Sequence, residues 1–159
     1  MSRDPRLDGD LHVVLVEPEI HWNTGSAGRT CLATGALLHL VEPLGFSLEE
    51  KQVKRAGLDY WPRVNPVVWP DLPALESQLS SLGTPVFFSA EAERTLWEVD
   101  FGKRTVLVFG SETRGLPASI RQRCRDRLVR FPMAADSVRS LNLANSVCAA
   151  LYEVLRLRA

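Results

Sequence analysis

The chain has 159 residues, of which 45% are hydrophobic and 24% are charged, so one globular domain with a sizeable core is expected. The 19 Lys and Arg residues equal the 19 Asp and Glu residues in number, so net charge gives no bulk attraction for a polyanion, although a local basic patch can still bind one. Cys31, Cys124 and Cys148 are odd in number and widely spaced, and the three histidines are equally scattered, which argues against a disulfide framework and against a metal site.

The first residues look different from the rest of the chain. Residues 1–10 are polar and contain Pro5 and Gly9, so we expect a flexible N-terminal tail followed by a single domain over residues 11–159. The tail lacks the apolar segment of a signal peptide, and no later apolar run is long enough to span a bilayer. A cytoplasmic location is therefore expected.

Apolar runs of strand length alternate with helical patterns along the chain. Strands are predicted over residues 11–16, 37–41, 86–88, 105–109 and 128–131. Helices are predicted over residues 23–34, 71–82, 119–124 and 140–158, the first opened by an Asn23–Thr24 pair that could cap it and the second by Asp71. This alternation predicts an α/β fold with a mostly parallel sheet covered on both faces.

The loop after the first strand holds a first group of polar residues. Asn23 and Arg29 are six residues apart at the start of a predicted helix, with Gly25 and Gly28 between them. A helix start presents unpaired N–H groups to an anion, and an arginine beside it could clamp a phosphate. A capped helix with a surface arginine explains the same residues equally well. Gly28 is also expected to loosen the helix by up to ~1 kcal/mol.

A second group follows the strand at residues 105–109. Gly110 and Gly115 bracket Glu112 at the carboxyl end of that strand, where ligands bind in open α/β sheets. The spacing fits neither a phosphate-binding P-loop nor the dinucleotide fingerprint, which disfavours a kinase or a nucleotide-dependent oxidoreductase. The alternative is a plain strand-to-helix turn, with Pro117 at the start of the next helix.

A third group leads into the last predicted helix. Asn142 and Asn145 are poor residues for a helix interior unless their amides have partners. Ser140 alone is more often a simple helix cap. The stripe formed by Leu143, Val147, Leu151 and Leu155 is expected to exceed what one subunit can bury and to serve a dimer interface.

Taken together, these three groups resemble the signature motifs of the SPOUT superfamily, in its SpoU branch of RNA ribose 2′-O-methyltransferases. The motifs are Asn-x-Gly-x-x-x-Arg at 23–29, Gly-x-Glu-x-x-Gly at 110–115 and Ser-Leu-Asn at 140–142. Within that branch the chain is similar to the short TrmL-like enzymes. The resemblance extends over nearly all of residues 11–158 and includes the segments at 16–20, 41–46, 55–60 and 116–120.

The resemblance implies a trefoil knot near the carboxyl end, a homodimer, and S-adenosyl-L-methionine as the methyl donor. It assigns catalytic roles to Arg29, Asn23, Glu112 and Asn142. It also implies that backbone around four residues binds the cofactor, namely Ser89, Gly110, Phe131 and Ser140.

The implied reaction is methylation of the ribose 2′-hydroxyl of the wobble nucleotide, a pyrimidine at position 34, in certain tRNAs. Another tRNA or rRNA ribose remains an alternative, as does a non-catalytic RNA-binding protein of the same fold. Tyr152 occupies the position of a functional tyrosine in the family, although a packing role fits equally well. The candidate RNA-binding cations are Lys51, Lys54, Arg55, Arg114, Arg121, Arg123 and Arg139.

Overall fold

The computed structural model describes residues 2–49 and 59–159, so Lys51, Lys54 and Arg55 lie outside the described residues. Seven strands form one sheet in the order β3-β2-β1-β6-β4-β7-β5, and every strand pair is parallel. This confirms the predicted α/β class with a parallel sheet. The strands are β1 (Leu11–Val16), β2 (Leu37–Val41), β3 (Val67–Trp69), β4 (Thr84–Phe88), β5 (Arg94–Thr95), β6 (Thr105–Phe109) and β7 (Leu128–Arg130).

Five α-helices accompany these strands in the described part of the chain. They are α1 (His21–Thr34), α2 (Trp61–Val64), α3 (Leu72–Leu82), α4 (Ala118–Arg123) and α5 (Leu143–Arg158). Single 3-10 turns lie at Pro5–Leu7, Leu96–Glu98 and Arg125–Arg127. Each of these helices is too short or too polar to cross a lipid bilayer.

The sheet is buried on both faces, as a parallel sheet requires. Alternate residues of β1 point to opposite sides: Val13 and Leu15 join the core cluster that contains residues of α1 and α5. Val14 and Val16 join the second cluster, which contains residues of α3 and α4. Two helical layers therefore enclose the sheet.

The predicted apolar stripe of α5 lies in the core of this chain. Val147 and Leu151 are fully buried, Leu143 is nearly so, and Leu155 packs at the edge of the cluster shared with α1. The expectation that this stripe needs a second subunit to cover it is wrong. The physical reason is that α1 packs directly against α5 and covers it.

Each of the four predicted helices begins one to three residues from its predicted start, and in two of them the predicted cap is wrong. Helix α1 begins at His21, and its N-cap residue Ile20 makes no side-chain capping bond, so the predicted Asn23–Thr24 cap is wrong. Helix α5 begins at Leu143, and its cap is Asn142 rather than Ser140. The Asp71 cap of α3 is confirmed, because its carboxylate accepts from the backbone N–H of Ala74 at 2.9 Å.

Residues 2–10 contact the body of the protein. Arg6 binds the carboxylate of Asp4 and donates to the carbonyl oxygen of Pro66 at 3.0 Å. The flexible tail over residues 1–10 stays a prediction, as does the single domain over residues 11–159.

The side-chain hydroxyl of Thr24 is buried, with 1% of the residue exposed, and it has no hydrogen-bond partner among the described residues. Burying an unpaired polar group costs about 1–3 kcal/mol. Thr24→Val is therefore expected to raise the free energy of unfolding by about 1 kcal/mol, measured by urea denaturation. Thr34→Val is the matched control on the same helix, because it removes a 2.8 Å bond to the Thr30 carbonyl and should destabilise. A Thr24→Val protein less stable than the wild type would contradict this account.

Candidate functional site

The centre of the sheet is a topological switch point. Strand β1 lies between β2 and β6, so the chain builds outward from β1 in two directions. Ligands bind at such points, outside the carboxyl ends of the strands. The loop from β1 to α1 and the loop from β6 to α4 meet there.

Glu112, in the loop after β6, caps helix α1 from outside. Its carboxylate accepts from the backbone N–H groups of Glu19 at 2.9 Å and Ile20 at 2.7 Å, and from the side-chain Nδ2 of Asn23 at 3.2 Å. The start of a helix carries unpaired N–H groups and a partial positive charge, both of which favour a carboxylate. This explains why α1 needs no cap from its own sequence.

Glu19, in the loop after β1, makes a reciprocal contact with the loop after β6. Its Oε1 accepts from the backbone N–H of Thr113 at 3.1 Å and from the Thr113 hydroxyl at 2.6 Å. These bonds favour the charged form, so they lower the pKa of the Glu19 carboxyl. We call this pair of reciprocal carboxylates, Glu19 and Glu112, the clasp. It joins the loop after β1 to the loop after β6.

Asn142 brings the third loop to the same place. Its Nδ2 donates to Oδ1 of Asn23 at 3.0 Å, and its Oδ1 accepts from the backbone N–H of Asn145 at 3.2 Å. Asn23 in turn donates to Glu112, so the bonds run in one direction from Asn145 to the carboxylate. We call this series, Asn145 N–H, Asn142, Asn23 and Glu112, the amide relay. The three sequence motifs thus converge at one point.

Glycine is required in the second motif for a reason internal to the loop. A Cβ on Gly110 would lie 2.0 Å from the carbonyl carbon of Gly115 and 2.1 Å from the nitrogen of Leu116. Ser111 and Gly115 exchange two backbone hydrogen bonds, and Gly115 has a φ of 68°. The close approach at Gly110 is therefore to its own loop.

Three of the four predicted cofactor-binding residues follow neighbouring strands. Ser89 follows β4, Gly110 follows β6 and Phe131 follows β7, and β4 lies between the other two. The ring of Phe88 stacks on Phe109 at 4.5 Å and on Phe131 at 5.1 Å between centroids. Phe88 and Phe109 are buried in the core, whereas Phe131 is partly exposed at this edge. Ser140 is exposed and lies two residues before Asn142 of the relay.

Arg29 lies outside the relay. It is six residues beyond Asn23, which places it about 120° around helix α1 and about 9 Å along its axis. Its side chain is exposed, and Cζ lies 5.6 Å from the centre of the Tyr60 ring.

The candidate RNA-binding residues differ in what their side chains contact. Arg121 pairs with Glu91 at 2.6 Å, and Arg123 pairs with Glu76 at 2.7 Å. Both guanidiniums are thus committed to intramolecular ion pairs. The other described candidates are exposed: Arg114, Arg139 and Tyr152.

Sequence reasoning assigned no role to Glu19, Thr113 or Tyr60. Glu19 and Tyr60 lie in segments that carry the family resemblance, which was the available signal. Nothing in the sequence marks Thr113 as the partner of Glu19. Among residues 2–49 and 59–159, no group of three His, Cys, Asp or Glu side chains is placed to hold a metal ion.

Known proteins that are similar to this chain identify its family. The model of the SpoU rRNA Methylase family matches residues 10–152. A relative from Methylovorus glucosotrophus, named tRNA (cytidine(34)-2′-O)-methyltransferase, is 46% identical over 146 residues, covering 91% of this chain and 93% of the relative.

Two solved structures are also similar. One, concerned with 2-OH methylation of C/U34 on tRNA, is 43% identical with a TM-score of 0.83, covering 92% of this chain and 94% of that one. The other is the SpoU methyltransferase AviRb from Streptomyces viridochromogenes in complex with AdoMet; it is 28% identical with a TM-score of 0.78, covering 97% of this chain and 61% of that one. The resemblance read from the three motifs is therefore confirmed, and the chain belongs to the SpoU methylase family.

Proposed function

We propose that this protein transfers the methyl group of S-adenosyl-L-methionine to the ribose 2′-hydroxyl of a pyrimidine at wobble position 34 in certain tRNAs. The names of the relatives support the substrate and the position. The amide relay supports the chemistry, because it assembles at one point the three segments that make up the family's motifs. A tRNA substrate implies that the reaction takes place in the cytoplasm.

The edge formed by β6, β4 and β7 fits an adenosine-containing methyl donor. It combines the partly exposed ring of Phe131 with backbone of the loops that follow these strands. Adenosine has apolar ring faces and polar edges, so a lining of aromatic carbon and backbone suits it. We assign this binding to the backbone around Ser89, Gly110, Phe131 and Ser140. When bound there, S-adenosylmethionine supplies an electrophilic methyl group.

Arg29 is proposed to act through its charge. A guanidinium stays protonated in proteins, so it is unsuited to removing a proton. It can bind the phosphate next to the target ribose and stabilise negative charge as the 2′-oxygen forms its bond to carbon. The hydroxyl proton then passes to a phosphate oxygen or to water. The exposed side of α1 leaves Arg29 accessible to an RNA backbone.

Asn23, Glu112 and Asn142 are proposed to hold this centre in place. Each amide in the relay has its donor and its acceptor engaged, so neither side chain is free to turn. Positioning of this kind contributes much of the catalysis available to a methyl transfer.

We further infer a trefoil knot and a homodimer. Strands β6 and β7 flank β4 on opposite sides, and the chain then returns to place α5 against α1, a path that supports threading of the carboxyl end. Exposed apolar side chains, among them Trp22 and Val138 at 59% and 62% exposed, are available to a partner surface. A crystal structure whose backbone path contains no knot would refute the knot. A mass in light scattering equal to the 17.7 kDa of one chain, rather than twice it, would refute the dimer.

The function is tested by mapping 2′-O-methyl groups in total tRNA from cells with and without the gene. Loss of the modification at position 34, restored by the purified protein with S-adenosylmethionine, is the expected result. Loss at another tRNA or rRNA ribose would redirect the assignment to that site. A protein that binds RNA and transfers no methyl group to any of it would refute the enzyme.

Arg29→Lys is expected to slow methyl transfer about tenfold, because lysine keeps the charge but loses the two parallel hydrogen bonds of a guanidinium to phosphate. The rate is measured in a single turnover with enzyme in excess. Arg125→Lys is the matched control. This exposed arginine lies just before β7, at the amino ends of the strands, whereas the proposed site lies beyond their carboxyl ends. Full activity of the Arg29→Lys protein would show that bidentate geometry is unimportant.

A further inference from the structure

The short helix α2 packs against α1 through a glycine. A Cβ added to Gly28 would lie 2.9 Å from Cζ3 of Trp61 and 3.2 Å from Cγ2 of Val64. A larger residue at this position would push α2 away from α1. The glycine that weakens the helix on propensity alone therefore permits a close contact, directly beside Arg29.

This contact sets Tyr60, the residue before α2, onto the surface of α1. The Tyr60 hydroxyl donates to the carbonyl oxygen of Gly25 at 2.8 Å. Its ring lies 5.6 Å from Cζ of Arg29. Gly25 and Arg29 are four residues apart, so they are neighbours on one face of the helix. Tyr60 thus spans one turn of α1 and touches it at two points.

The chemistry of the two contacts is complementary. Burial raises the pKa of the Tyr60 hydroxyl, and the positive charge of Arg29 opposes that rise in part. The hydroxyl therefore stays protonated and remains a donor to Gly25. A guanidinium within about 6 Å of a ring centroid is attracted by the electrons of the ring face.

We propose that Tyr60 is a positioning residue that holds the Arg29 guanidinium in place for methyl transfer. The inference rests on the proposed function, in which Arg29 binds phosphate and stabilises charge on the ribose oxygen. An unrestrained arginine loses the conformational entropy of several rotatable side-chain bonds when it binds a phosphate. The contact with the Tyr60 ring restricts those bonds in advance, and the exposed side chain of Arg29 stays accessible to RNA.

The proposal predicts a coupling between two residues. Tyr60→Leu removes the ring and should lower the single-turnover rate about fivefold, the size expected of a cation–π contact to an exposed side chain. Tyr60→Phe keeps the ring and loses only the Gly25 bond, so its rate should stay within about threefold of the wild type. The KM for S-adenosylmethionine should be unchanged in both, because Tyr60 contacts α1 rather than the β6–β4–β7 edge.

A double-mutant cycle with Arg29→Gln separates positioning from a merely structural role. Once the guanidinium is absent, Tyr60→Leu should slow the reaction no further. An equal slowing in both backgrounds would overturn the proposal, and so would a Tyr60→Leu protein of normal rate. If the wild type itself transfers no methyl group to tRNA, the proposed function fails instead.

A second measurement needs no variant and no activity. In the wild-type protein, the ring current of Tyr60 should shift the NMR signals of the Arg29 Hδ and Hε protons upfield. Arg29 signals at their random-coil positions would overturn the proposal even if every Tyr60 variant were inactive.

Discussion

Replacing Glu112 with glutamine is expected to slow methyl transfer about 100-fold or more and to lower the free energy of unfolding by about 3 kcal/mol. The substitution changes one oxygen to an amide nitrogen and leaves the shape of the side chain almost intact. Its effect therefore reports the loss of one acceptor and of the negative charge, with little change in shape.

The reason lies in the direction of the amide relay. Glu112 receives hydrogen bonds from Glu19, Ile20 and Asn23, and an ionised carboxylate can accept all three. A glutamine amide nitrogen would face one of these N–H groups, donor against donor. Turning the Asn23 amide around to compensate would force Asn142 to turn as well. The Asn142 nitrogen would then face the backbone N–H of Asn145.

The measurement pairs urea denaturation with single-turnover methyl transfer. Glu93→Gln is the control, because Glu93 is exposed and makes the same chemical change far from any capping role. Glu112→Asp should recover part of the stability, since it restores the charge on a shorter arm. A Glu112→Gln protein with wild-type stability and rate would mean that the clasp and the relay do not hold the site together.

Much of the fold follows from short-range pattern. Strands β1, β2 and β6 have the predicted bounds because long apolar runs with helical segments between them leave one interpretation. Strands β3 and β5 were not predicted. They have three and two residues, too few for a periodicity, and they exist because neighbouring strands offer parallel partners.

The functional site, like the fold, was predictable from the sequence only in part. The motifs identified which loops converge, because strand order places their ends together. They did not identify the partners of individual side chains: a capping asparagine was expected at 23, whereas the cap of α1 comes from Glu112, 89 residues further along the chain than Asn23. Such a contact depends on tertiary position, which local propensity does not encode. The prediction that the apolar stripe on α5 serves a dimer interface was wrong for the same reason, since the residues that cover a helix face come from distant parts of the chain.

A buried histidine pair lies at the opposite end of β1 from the site. Nδ1 of His12 and Nε2 of His39 are 2.9 Å apart, and both residues are fully buried. Trp69 Nε1 can only donate, and it lies 3.1 Å from Nδ1 of His39; the carbonyl oxygen of Gly9 can only accept, and it lies 2.9 Å from Nε2 of His12. These two ends fix both rings as neutral tautomers. A further proton on either ring would oppose an existing donor.

The pair is therefore expected to make the fold sensitive to mild acid. Burial lowers the pKa of His12, and burial lowers that of His39 to about 3, whereas unfolded histidine titrates near about 6.5. Below about pH 6.5 the unfolded chain takes up protons that the folded chain refuses, so stability that is complete at pH 7 falls as the pH drops towards about 3.

At pH 4.5 the loss from His39 alone is about 3 kcal/mol, and His12 adds to it. The carboxyls of Glu19, Glu98 and Glu153 have pKa values lowered from 4.5, so their contribution to stability is lost mainly below about pH 4.5. Between pH 7 and pH 4.5 the change in stability therefore comes chiefly from the two histidines. Urea denaturation between pH 7 and pH 4.5 measures the slope, which the double variant His12→Leu/His39→Leu should flatten. A wild-type free energy of unfolding that stays level over this range would mean that the pair accepts protons within the folded protein.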